Sequence, residues 1–142
     1  MTEAAGTIED GVHVLPVRVY FEDTDAGGIV YYANYLRYAE RGRSEMLRHL
    51  GIESGRMVDG LGLAFAVRRC AMDFVKPAKL DDLLTVETRL LEVGGASLSV
   101  DQRVRRGATD LVRMELKLAC ISLNGRPARL PGDIRKRLEG LG

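Results

Sequence analysis

Tryptophan is absent from this chain of 142 residues, and cysteine and histidine occur only twice each. Cys70 and Cys120 lack CxxC spacing and fall in alternating, strand-like runs. Both therefore read as small buried hydrophobes rather than as a disulfide or a redox pair. His13 and His49 are widely separated in sequence, which leaves a histidine-based metal site little material. No stretch approaches the roughly 18 apolar residues expected of a membrane span. Residues 1–12 have neither the basic start nor the apolar centre of a signal peptide. They read as a flexible tail ahead of one domain over residues 13–142, and the cytosol is the expected compartment. An excess of one charge is lacking too. The 21 Lys and Arg against 20 Asp and Glu leave a formal charge of +1, so no global field draws the chain to nucleic acid.

What is present is ordinary in bulk and informative in pattern. An apolar fraction of 46% and a charged fraction of 29% describe a globular domain long enough to bury a real core. Residues 14–22 read as a first strand. Residues 34–50 read as one long helix, with Tyr35, Ala39, Gly42, Met46 and Leu50 recurring near helical spacing on one face. Arg37, Glu40, Arg41, Arg43, Glu45 and Arg48 fill the remaining surface. Asn34 is the expected N-cap and Gly51 the expected residue just past the end. Gly42 inside a helix costs about 1 kcal/mol relative to alanine. With Ala39 it makes a small-residue face against which a sheet can curve closely.

After a Gly-rich loop over 54–62 the pattern switches to period two. Strands are expected over 63–74, 84–91, 97–105 and 113–120, with turns at Gly94-Gly95 and Arg106-Gly107. Along 97–105, Leu98, Val100, Gln102 and Val104 form the face expected to be buried. Strand, helix and then a strand meander predict an α+β domain with an antiparallel sheet of about five strands. One helix covers only one face of such a sheet. The other face and the edges call for a partner subunit, at least a homodimer.

The segment with most chemical content is Glu22-Asp23-Thr24-Asp25-Ala26-Gly27-Gly28-Ile29-Val30-Tyr31-Tyr32-Ala33-Asn34-Tyr35. Two acids, a permissive glycine pair and a helix N-terminus sit together there. A carboxylate beside free backbone N–H donors has the parts needed to attack a carbonyl while stabilising its oxyanion. A plainer reading is that Asp-x-Asp-x-Gly only makes a turn, because Asp caps backbone groups and Gly accepts positive φ. A metal reading has less support. A strand ending in Asp-x-Asp resembles the haloacid-dehalogenase phosphatases, but those need repeated βα units, and this chain continues as a meander. An EF-hand needs Glu at its twelfth loop position, where Asn34 stands if Asp23 is first.

The run from Val17 through Glu22-Asp23-Thr24-Asp25-Ala26-Gly27-Gly28 to Tyr31 resembles the signature of the YbgC and 4-hydroxybenzoyl-CoA thioesterase family, hotdog-fold acyl-CoA thioesterases. Similarity continues through Glu40-Arg41-Gly42-Arg43-Ser44-Glu45-Met46-Leu47-Arg48, Ala64-Phe65-Ala66-Val67-Arg68-Arg69 and Pro77-Ala78-Lys79-Leu80-Asp81-Asp82. It covers about residues 15–131 and is nearest the branch associated with the Tol-Pal cell-envelope system. The resemblance implies a long helix wrapped by a curved antiparallel sheet, paired by joining two sheets and often assembled as a homotetramer. It implies hydrolysis of an acyl thioester, carried on CoA or on acyl carrier protein, without a metal or redox cofactor.

For the site, the resemblance implies that Asp25 acts as nucleophile or as general base for water. The thioester oxygen would be polarised by the backbone N–H of Tyr32 at the start of the helix; such a donor is typically worth about 10²- to 10³-fold in rate. Gly27 and Gly28 would let the thioester approach, and Tyr31 and Tyr35 would line an acyl pocket. Asp25 and the first helical amides are thus expected to share one small cavity. This chain departs from the family pattern in two places. Tyr32 stands where many members of the nearest branch carry histidine. Val93-Gly94-Gly95-Ala96-Ser97 holds no base where some members grip the CoA phosphates, which leaves Arg103, Arg105 and Arg106 as nearby candidates. Another hotdog branch uses a helical Glu, but Glu40 beside Arg43 and Ser44 reads as structural. A non-catalytic acyl-thioester-binding or scaffolding module on the same fold is the alternative from a different class.

Overall fold

The computed structural model describes residues 3–141. Its main elements are β1 (Thr7–Glu9), β2 (Val12–Arg18), α1 (Asn34–His49), β3 (Leu63–Phe74), β4 (Leu83–Val93), β5 (Ser97–Arg106), β6 (Thr109–Ser122) and a C-terminal helix, Gly132–Glu139. The strands form one sheet in the order β1-β2-β4-β5-β6-β3, antiparallel throughout. The α+β expectation holds, with a sixth strand added. That strand, β1, lies within the segment expected to be a tail. It is held because His13 is fully buried, and the His13 Nε2 atom lies 2.8 Å from the Ala5 carbonyl oxygen. The intended loop at 54–62 is instead two short helical turns, Ser54–Arg56 and Met57–Leu61.

The period-two pattern does the work expected of it. Leu84, Val86, Leu98, Val100, Val104, Met114, Leu116, Leu118 and Cys120 all point inward and are buried. Register shifts at Val67/Arg69, Leu90/Glu92 and Val104/Arg105 interrupt the ladders. Such bulges bend a sheet, and here the sheet curves around α1. The helix approaches so closely at Gly42 that an added Cβ would sit 2.8 Å from Val86 Cγ1 and 3.1 Å from Thr88 Oγ1. A buried polar network lies beside this contact. Gln102 Nε2 donates to the Ala39 carbonyl and to Thr88 Oγ1, both at 2.9 Å, and Gln102 Oε1 accepts from Arg43 Nη1 at 3.0 Å. Arg43 is therefore buried, not on the surface as its sequence position suggests. Its guanidinium completes an amide that would otherwise be left with an unmet acceptor in the core.

Strand β2, expected over 14–22, ends at Arg18 because Val19 leaves β4 and pairs with the β3–β4 loop. Val19 N–H donates to the Asp82 carbonyl at 2.9 Å, and Asp81 N–H donates to the Val19 carbonyl at 3.1 Å. Residues 75–82 fold over the chain that enters α1. Val30 N–H donates to the Ala78 carbonyl (2.9 Å), Leu80 N–H to the Gly28 carbonyl (3.3 Å), and Ile29 bridges Lys79. The Pro77-to-Asp82 motif thus has a mechanical meaning: it braces the glycine pair. Asp82 in turn braces the loop, its Oδ2 accepting from Lys79 N–H at 2.9 Å and from Arg106 Nη1 at 2.7 Å. Burial pushes the Asp82 carboxyl up, but the Lys79 amide and the Arg106 guanidinium outweigh it and hold the group below the usual aspartate range.

Gly42→Ala should lower stability by about 1–3 kcal/mol, even though alanine is the better helix former, because the buried Val86 methyl has nowhere to retreat. Denaturant or thermal melts would measure this. The lowered Asp82 ionisation contributes stability that is present above the ordinary aspartate value of about 3.9 and is lost as pH falls through the lowered one. Asp82→Asn should therefore melt below wild type at neutral pH, with the gap narrowing once the pH drops under about 4. Melts over a pH series read this directly.

Candidate active site

The acidic turn is a tight antiparallel loop closed by a bridge between Thr24 and Val30. Asp25 N–H donates to the Ile29 carbonyl at 2.9 Å, and Gly28 N–H donates to the Asp25 carbonyl at 3.0 Å. Gly28 takes φ +80°, a left-handed conformation that favours glycine. Asp25 Oδ1 accepts the Gly27 N–H at 2.8 Å, an Asx-type contact that shapes the turn. Among the described residues Oδ2 has no partner, and Asp25 is exposed.

Asp23, two residues earlier, is a builder of the turn. Its carboxylate accepts the Tyr20 N–H at 2.8 Å, and its carbonyl accepts both Tyr31 N–H and Asn34 Nδ2 at 2.9 Å. Asn34 therefore does not cap α1. It is the first helical residue, and its amide is spent tying the helix to the turn. Ala33 occupies the N-cap position with no side-chain hydrogen bond. Among the described residues the N–H groups of Tyr32, Ala33 and Tyr35 find no acceptor. The helix start is thus an unsatisfied donor set carrying the positive end of the helix dipole.

Tyr32 and Tyr35 from this helix start line a cleft of about 350 Å³ together with Ile29, Val30, Phe74, Val75, Lys76 and Pro77. Phe74 meets the Tyr32 ring edge-on at 6.3 Å between centroids and the tilted Tyr35 ring at 6.0 Å. Tyr35 is buried, and its hydroxyl oxygen accepts the Ala78 N–H at 3.0 Å. Burial pushes its phenol above the usual tyrosine range. Tyr31 is exposed, and its ring meets the tilted Tyr32 ring at 4.9 Å between centroids.

Of the residues singled out in the sequence, Tyr32 and Tyr35 line the cleft. Asp25, Gly27, Gly28 and Tyr31 do not. One chain by itself does not enclose the carboxylate and the helix start in a single cavity. They are neighbours through Ile29, which lines the cleft and whose carbonyl receives the Asp25 N–H. Phe74, Val75 and Lys76 escaped the sequence reading. The only local sign was an aromatic residue ending a strand just before Pro77.

The three arginines considered for phosphate binding are all engaged with acids. Arg103 pairs with Asp101 and Asp110 (both 3.3 Å), Arg105 with Asp110 (2.7 Å) and Glu87 (3.0 Å), and Arg106 with Asp82. The base-free turn after β4 instead receives Arg135 from the C-terminal helix, whose Nη1 donates to the Gly94 carbonyl at 2.7 Å. His13 and His49, distant in sequence, touch in the fold with ring centroids 4.8 Å apart. No third ligand joins them: among the described residues no group of three or more His, Cys, Asp or Glu could hold a metal ion. Among the same residues, no helix is long and apolar enough to cross a membrane.

The sequence model of the thioesterase superfamily matches residues 27–112. The chain is 45% identical over 127 residues to the acyl-CoA thioesterase YbgC of Haemophilus influenzae, covering 89% of this chain and 93% of that one. It is 40% identical over 121 residues to the acyl-CoA thioester hydrolase YbgC of Escherichia coli, covering 84% and 90%. The crystal structure of a probable thioesterase from Bartonella henselae superposes with a TM-score of 0.82 at 40% identity, over 84% of this chain and 99% of that one. A curved antiparallel sheet around one long helix, a donor-rich helix start and these likenesses lead to one conclusion: the chain belongs to the thioesterase superfamily, as an acyl-CoA thioesterase of the YbgC family with a hotdog fold.

Proposed function

We propose that this thioesterase hydrolyses its acyl-CoA substrate with Asp25 as the attacking or proton-accepting group and the Tyr32 backbone N–H as the oxyanion donor. The observation that carries this reading is the uncapped start of α1, opening on an apolar cleft beside a carboxylate turn. The thioester carbonyl oxygen lies against the helix start, and the acyl group enters between Tyr32, Tyr35 and Phe74. Gly27 and Gly28 leave room for the thioester beside the turn; nothing lies within 4 Å of where a Cβ on Gly28 would stand.

Two routes use the same atoms. As general base, Asp25 takes a proton from water, the water oxygen bonds to the carbonyl carbon, and the C–S bond breaks with the thiolate leaving. As nucleophile, an Asp25 oxygen bonds to that carbon and expels the thiolate, and water then cleaves the resulting anhydride. In both, charge grows on the carbonyl oxygen and is met by amides already in position.

The active form is proposed to be at least a homodimer. Among the described residues the outer edge of β3 has no partner strand, and Val67 and Phe74 are exposed. A groove of about 220 Å³ runs between α1 and β3, past Arg43, Leu47, Met57 and Phe65. A second copy laid along this edge would cover both and close over the exposed Asp25. Association with an acyl carrier protein donor or with the Tol-Pal system belongs to the same proposal as a cellular context for this activity.

Asp25→Asn should lower kcat/KM on any cleaved acyl-CoA by at least about 10²-fold with the melting temperature little changed, and Asp23→Asn should cost much less. Equal losses at the two positions would remove Asp25 from its role. Single-turnover hydrolysis in ¹⁸O-water tests the routes: label on Asp25 requires the nucleophilic route with water attacking the Asp25 side of the anhydride, whereas the general-base route labels only the acid product. Gel filtration should give at least twice the 15.6 kDa of one chain.

A further inference from the structure

The β3–β4 loop carries a feature that binding and chemistry at the cleft leave unused. Asp81 has φ +71°, a left-handed conformation that a non-glycine residue adopts at a cost. The strain is held in place from several sides. Arg18 Nη1 donates to the Asp81 carbonyl at 2.8 Å, and Val19 exchanges backbone hydrogen bonds with Asp81 and Asp82. Next to it, Asp82 Oδ2 gathers the Lys79 N–H and the Arg106 guanidinium, the latter reaching over from the end of β5. The far side of the same loop holds the Gly28 and Val30 backbone through Leu80 and Ala78.

We propose that the Asp82–Arg106 ion pair is a positioning device that fixes, through the 75–82 loop, the turn bearing Asp25 and the approach to the Tyr32 amide. This rests on the proposed roles of Asp25 and Tyr32. Arg106 is a positioning residue, not a substrate contact. Its side chain is only 38% exposed and already committed to Asp82 at 2.7 Å. The loop it closes touches the turn through two backbone hydrogen bonds, Val30 to Ala78 and Leu80 to Gly28, which together make the Ile29–Lys79 bridge. Partly exposed, the pair adds only a modest increment to stability, enough to lower the melting point of Asp82→Asn but not to govern folding. Its loss should therefore loosen the turn without unfolding the chain.

The test uses Arg106→Gln, Asp82→Asn, the double variant and Arg106→Lys. Each is assayed with whichever of butyryl-, benzoyl- or palmitoyl-CoA wild type cleaves fastest, alongside amide hydrogen exchange over residues 28–32. The single variants should each lose about 10-fold in kcat with KM nearly unchanged, and the double variant should lose no more than either single, since both changes break one link. Exchange at Val30 should rise in all three, and Arg106→Lys should recover part of both effects. A raised KM with unchanged kcat, multiplicative losses in the double variant, or wild-type exchange at Val30 in Arg106→Gln would each overturn the proposal. Should wild type cleave none of the three thioesters, the reading of the active site would fall, and the Val30 exchange would still decide whether the pair holds the turn.

Discussion

Helix α1 meets the sheet at a glycine, where the helix itself contributes no side chain, and the rest of the molecule is arranged around that contact. Only a residue without a Cβ fits at Gly42 against Val86 and Thr88. Because the helix lies so low, its backbone is within reach of a strand side chain, and Gln102 can donate to the Ala39 carbonyl. That bond draws Thr88 and Arg43 into a satisfied polar cluster, which gives an otherwise greasy interface a single register. The same placement sets the height at which the helix begins, and so where its unmet amides face the 75–82 loop.

Much of this was legible in the sequence because it depends on period and local chemistry. The alternation of Leu98, Val100, Gln102 and Val104 located a buried face, including its one polar member. Tyr35, Ala39, Gly42 and Met46 located the helix face, and the Gly94-Gly95 and Arg106-Gly107 pairs located turns. Asp23 could be read as a turn former, which is how its carboxylate and carbonyl are used.

What escaped was set by partners distant in the chain. Arg43 looked like a surface residue because nothing nearby in sequence shows that Gln102 needs a donor. Asn34 looked like a cap because nothing local reveals that the Asp23 carbonyl would claim its amide. His13 and His49 looked unrelated until the N-terminal strand and the end of α1 came together. Phe74 carried no periodic signal that it would turn from the end of β3 toward Tyr32 and Tyr35. Arg103 and Arg105 looked available to an anion, and Asp110 had already claimed both. The acid and the helix start were recognised as neighbours, but within one chain the cleft takes in Tyr32 and Tyr35 without Asp25.

The bare N-cap at Ala33 has a consequence for how this protein can change. Ala33 keeps a helical backbone (φ −69°, ψ −20°), so a serine or aspartate there would cap the first amides only by shifting it, for the usual gain of about 1 kcal/mol. On the proposed role of the helix start, such a side chain would bring its own oxygen to the positive tip and compete with the thioester carbonyl for it. On that reading robustness and turnover are opposed at a single codon, and a sturdier helix comes at the expense of rate.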